Sequence, residues 1–63
     1  MNKEDFIRTI KAIFWQWHGQ LDIVTLFETK IEQYQKAKLI SMEDAIIWHL
    51  TREEIDFIKK ETR

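Results

Sequence analysis

The chain has no cysteine and no proline, and it has a single glycine. Without cysteine there is neither a disulfide nor a thiolate metal site, so the usual staples of a very small domain are absent. Without proline nothing forces a helix to break, and boundaries have to be read from capping residues. No stretch approaches the run of about 18 apolar residues that spans a bilayer. The N-terminal region carries Glu4 and Asp5 and is amphipathic, unlike the uniformly apolar core of a signal peptide. No membrane association is expected. An excess of one charge is missing too. Ten lysines and arginines face eleven aspartates and glutamates, a net charge of −1, so there is no bulk attraction to nucleic acid.

Equipment for catalysis is equally sparse. Ser41 is the only serine, and it and Thr51 sit where helices start. No glycine-rich phosphate loop and no nucleophile elbow can be written with one glycine. His18 and His49 are far apart in the chain, and neither has a second ligand at metal spacing. His18 falls at a helix end, where the dipole favours a cation. A pocket of small-ligand size is hard to build in 63 residues. The expectation is a non-enzyme with no metal, no cofactor and no small-molecule substrate.

What the chain does have is apolar and aromatic side chains, 44% hydrophobic with eight aromatics among them. That is enough for one small core, and more than one small chain easily covers, which makes self-association attractive. Length allows one domain, residues 1–63. Ten isoleucines against four leucines, and seven lysines against three arginines, fit an AT-rich bacterial or phage genome. The absence of cysteine fits a cytoplasmic protein.

The organising stretch is Phe6 to Trp17. At about 100° per residue, Phe6, Ile7, Ile10, Ile13, Phe14 and Trp17 share one face, the pattern of a helix with one buried stripe. Asn2 is its N-cap, Glu4 and Asp5 suit the positive end of its dipole, and Gly19 is placed to close it as a left-handed residue. The first helix is expected over about residues 3–18. A second helix, about 22–38, begins with Asp22 as its cap and carries Val24, Phe27, Ile31 and Tyr34 as a seam, widened by Ile23 and Leu26. The short Gly-containing link makes the two an antiparallel hairpin.

The last third contains two capping signals, Ser41 with Asp44 and Thr51 with Glu54. They predict two short helices, about 42–49 and 52–61, rather than one continuous helix with Glu54 in the middle of its apolar face. The fold is therefore an all-α small bundle, with a core of Phe6, Ile7, Ile10, Ile13, Phe14, Trp17, Val24, Phe27, Ile31, Tyr34, Ile46, Leu50, Ile55 and Ile58.

Trp15 falls off the stripe of the first helix. It points away from it beside Arg8, Lys11 and Ala12. Either the C-terminal segment covers it, or it is open to another molecule. Tryptophan and arginine are the residues most enriched at binding hot spots. Arg8, Lys11 and Trp15, extended by Trp48, form the expected protein-binding surface. The expected function is regulation by contact with a larger protein, or self-association as a homodimer. The alternative is DNA binding by residues 42–60, which resemble a helix-turn-helix in spacing, with Ala45 at the small position and Arg52, Lys59 and Lys60 as contacts. It departs from that motif where His49 replaces the usual turn glycine. Glu53, Glu54 and Asp56 also crowd the end that would enter the major groove, while Lys59, Lys60 and Arg63 lie at the other end. A second alternative is a structural subunit of a larger assembly.

Overall fold

In the computed structural model, which describes residues 1–61, four helices and no strand are formed. They are α1 (Lys3–Gln16), α2 (Ile23–Lys36), α3 (Met42–Ile47) and α4 (Arg52–Lys59). Arg63 lies outside the described residues. The hairpin of two long helices followed by two short ones is present, and the break in the last third is real. α2 and α4 both pack on α1, whereas α3 packs on α2.

Each start is fixed by the residue the sequence offers for it. The Asn2 side chain accepts from the Asp5 N–H at 2.8 Å, and Ser41 Oγ accepts from the Asp44 N–H at 3.0 Å. At α4 the box is reciprocal. Thr51 Oγ1 accepts from the Glu54 N–H at 3.1 Å, and Glu54 Oε1 accepts from the Thr51 N–H at 2.9 Å. Asp22 stands at the start of α2, but its carboxylate accepts from the Thr25 hydroxyl instead of capping a backbone N–H.

The ends differ from expectation by about one turn at most, and the differences matter. α1 stops at Gln16, not His18. Trp17 leaves helical geometry, His18 takes φ 57° and Gly19 φ 72°. The Gly19 N–H returns to the Phe14 carbonyl at 2.9 Å and the His18 N–H to Trp15 at 3.0 Å. This is a Schellman closure, with His18 rather than Gly19 in its first left-handed position. α2 closes the same way. Lys38 has φ 63°, and the Leu39 N–H reaches the Tyr34 carbonyl at 2.9 Å.

The core is Phe6, Ile7, Ile10 and Phe14 of α1, Ile23, Leu26 and Phe27 of α2, and Ile40 and Ile58. Phe6 is its hub. Its fully buried ring lies 5.3 Å from Phe27, 5.7 Å from Tyr34 and 5.7 Å from Trp48, edge-on to the first two. Ile13, Ile31, Tyr34, Leu50 and Ile55 are half-buried around this cluster.

Three residues expected in the core lie outside it. Trp17 is 59% exposed because the helix ends one residue before it and the indole swings off the stripe. Val24 is exposed because the buried face of α2 is rotated toward Ile23 and Leu26, leaving Val24 beside a gap between α2 and α3. Ile46 is 71% exposed because the break isolates α3, which turns Ala45 and Trp48 inward. Ile40, outside the expected core, is buried as the chain leaves α2.

The two left-handed closures predict opposite responses. A Cβ at Gly19 would stand 3.2 Å from Trp15 Cζ3, on a backbone that L-residues avoid. Gly19→Ala should cost about 1–2 kcal/mol in urea unfolding. Lys38 already bears the penalty of a side chain at positive φ, so Lys38→Gly should stabilise by about 0.5–1 kcal/mol. A destabilised Lys38→Gly would contradict the closure described for α2.

Candidate protein-binding surface

The face expected to be open on α1 is covered by α4. Trp15 is half-buried, its ring edge-on to Phe14 at 5.1 Å, and its Nε1–H donates to the Ile58 carbonyl at 2.7 Å. Ile58 lies in the last turn of α4, where helix carbonyls have no partner further along the helix. The indole therefore caps α4 from outside. Lys11 Nζ sits 4.2 Å from the centre of the Phe57 ring, a cation–π contact to the same helix. Arg8 is held to Glu4 at 2.7 Å, with both side chains largely solvated. Of the two alternatives the sequence leaves for Trp15, cover by the C-terminal segment is the one found: Trp15 and Lys11 contact α4, and only Arg8 of the three is exposed. Trp48 is half-buried, tilted against Phe6 at the core edge.

A second set of polar contacts fastens the other end of α4. Lys3 Nζ donates to the His49 carbonyl at 2.8 Å and lies 3.2 Å from Glu54 Oε1. One ammonium thereby joins the start of α1 to the turn between α3 and α4 and to the capping box. Partial burial works against ionisation of Glu54. The Thr51 N–H, the Lys3 ammonium and the Thr51 hydroxyl outweigh it and hold the carboxyl below its ordinary value.

The residues of the helix-turn-helix outline are also placed. α3 and α4 are joined by residues 48–51, but they pack on different helices, α3 on α2 and α4 on α1. In a DNA-binding pair the recognition helix is carried by its neighbour. Arg52, Lys59 and Lys60 are exposed, and Glu53 and Asp56 are exposed among them, so α4 presents mixed charge.

The open apolar surface lies on α3. Not one of its six residues is buried. Met42 is 68%, Ile46 71% and Ile47 57% exposed, and Leu39 ahead of the helix adds to them. Beside them runs an open groove of about 490 Å³ between α2 and α3. Val24, Phe27 and Ile31 form one wall, and Ile46, Trp48 and Leu50 line the other. Its size falls in the range of about 300–1,000 Å³ seen for ligand clefts, and it opens to solvent. Trp48 is the one expected binding residue that borders it. Trp17 is the exposed tryptophan, in a separate shallow gap with Ile13, Leu21 and Leu26.

Met42, Ile46 and Ile47 were readable as a surface from one signal. A helix as short as Met42–Ile47 touches its neighbour with one side only, and this one has apolar residues on more than one side. No protein-family model, no curated protein and no solved structure matches this chain.

Two predictions test these attachments. Trp15→Phe keeps most of the ring and removes the N–H, so it should cost about 1 kcal/mol, the usual consequence of stranding one carbonyl. A neutral effect would mean the indole does not cap α4. For Glu54, a folded value below the unfolded one means the contact stabilises above about pH 4.5, the ordinary value, and fades as the pH falls through the depressed one. Glu54→Gln should be less stable than the parent at neutral pH, and the gap should shrink at about pH 3. A gap that is independent of pH would contradict an ionised Glu54 in the cap.

Proposed function

We propose that this is a small non-catalytic binding protein of bacterial or phage origin, acting in the cytoplasm by protein–protein contact. The observation that carries the reading is α3, a short helix with no buried residue and three large apolar side chains turned to solvent. Contiguous apolar patches of this kind on a small chain mark interaction sites. The groove beside α3 supplies depth, and Trp48 at its edge supplies an aromatic anchor of the type enriched at hot spots. The action is steric: the α3 face occupies a site on a larger protein, or pairs with a second copy. Service as a subunit of a larger assembly would use the same face.

The contact proposed here uses residues 39–48 and the adjoining side of α2 in place of the Arg8–Lys11–Trp15 face. Arg8 and Lys11 are retained as rim charges only, because Trp15 is engaged within the chain.

The test compares the parent with Ile46→Asp. Affinity capture from cells of the source and light scattering over a concentration series are run on both. The expected result is a bound protein, or a dimer mass, that is present for the parent and lost in the variant. A parent that stays monomeric at high concentration and retains the same proteins as Ile46→Asp contradicts the reading.

A further inference from the structure

α4 is fastened by groups that stand in one line along α1. Lys3, Ile7, Lys11 and Trp15 follow at intervals of four residues, on one side of that helix. Three of them offer a donor or a positive charge. The Lys3 ammonium meets the Glu54 carboxylate at 3.2 Å, Lys11 Nζ stands 4.2 Å from the centre of the Phe57 ring, and the Trp15 indole N–H donates to the Ile58 carbonyl at 2.7 Å. Start meets start and end meets end, so α4 runs parallel to α1. The face therefore reads three features of the helix it holds: a carboxylate in the first turn, an aromatic ring one turn on, and an open carbonyl in the last turn. The charges at its edge are mixed. Lys3, Glu4 and Arg8 line one side of a cleft of about 360 Å³, and Glu53, Glu54 and Phe57 line the other. Within it Arg8 is paired with Glu4 and Lys3 with Glu54.

Much of the fold closes without α4. The rings around Phe6 belong to α1, α2 and the end of α3, and α3 packs on α2. The ties of α4 to the core are the buried Ile58 and, at its margin, the half-buried Ile55. Apart from Glu54, which is half-buried, the other residues of α4 are exposed. Residues 48–51 join it to α3, with Trp48 and Thr51 in extended conformation. A segment with few buried apolar contacts opens at lower free energy than the core of the same protein. Tethering keeps such a segment at high effective concentration on its face, and a helix of the same chemistry from outside competes with it.

The geometry points to α4 as a releasable arm, seated on a helix-binding face of α1 built from Lys3, Ile7, Lys11 and Trp15. With the arm out, the face takes an acidic amphipathic helix of another protein, of the kind α4 itself exemplifies with Glu53 and Glu54 ahead of Phe57 and Ile58. This face is separate from the exposed residues of α3, and the protein-binding reading above stands or falls without it.

Fluorescence anisotropy of a labelled peptide of residues 50–61, titrated with the full chain, reads this. In Glu54→Lys the arm turns a like charge toward Lys3 and loses its capping box, while the face on α1 is unchanged. The variant should bind the peptide at least about tenfold more tightly than the parent, whose own arm competes. Adding Lys3→Glu pairs the arm again with reversed charges and sets a carboxylate against Glu54 of the peptide, so the gain should disappear. Amide hydrogen exchange of Glu54→Lys is measured alongside; α4 should lose protection while α1 and α2 keep theirs. Equal affinity of the parent and Glu54→Lys, or a gain that survives Lys3→Glu, overturns the inference. Loss of protection in α1 and α2 together with α4 also overturns it, because α4 is then part of the core and not an arm. An α4 that stays protected in Glu54→Lys does the same.

Discussion

The structure depends on one buried ring. Phe6, in the second turn of α1, touches Phe27 and Tyr34 of α2 and Trp48 at the end of α3. Three segments distant in sequence are thereby fixed around a single side chain, each by an aromatic contact worth about 0.5–1.5 kcal/mol beyond its buried area. In a chain without cysteine or proline, this convergence takes the place of a covalent staple. It also sets where α3 can lie. Trp48 must reach Phe6 at the core, so the turn after α3 is anchored while the helix itself rests on the flank of α2 with its own apolar residues outward.

α4 is fastened differently, by its two ends. Lys3 reaches across from α1 to Glu54 and the His49 carbonyl at its start, and the Trp15 indole takes the Ile58 carbonyl at its end. Between them Ile58 is buried and Phe57 lies under Lys11. An eight-residue helix is too short to hold its shape alone. Here it is held by α1 along its length. Residues that look like a binding surface in the sequence, a tryptophan and a lysine off the main stripe, are what α4 requires.

Most of the fold was legible because the capping residues are good. Asn2, Ser41 and the Thr51–Glu54 box mark three starts, and the stripe from Phe6 to Phe14 marks the central face. Helix ends were less legible because two left-handed residues, His18 and Lys38, are not glycines, and nothing in their identity announces the conformation. That shift of a residue or two carried Trp17 out of the core. Which apolar surface stays open was not legible. Periodicity says that Trp15 and Trp17 lie on different sides of α1, but not which side another segment will cover. Helix α4 covers one, and the early end of α1 opens the other. Ile46 was misplaced for a related reason: its neighbours in space are decided by which helix α3 leans on, which is a tertiary choice.

The central claim is that Trp15 holds the chain together while the exposed apolar residues of α3 do not. Urea unfolding of Trp15→Ala and Ile46→Lys, measured side by side on monomeric protein, tests it most directly. The account predicts a loss of about 3 kcal/mol or more for Trp15→Ala and a change within about 0.5 kcal/mol for Ile46→Lys. A tolerated Trp15→Ala together with an unfolded Ile46→Lys would contradict it, placing the core on α3 and the open surface on α1.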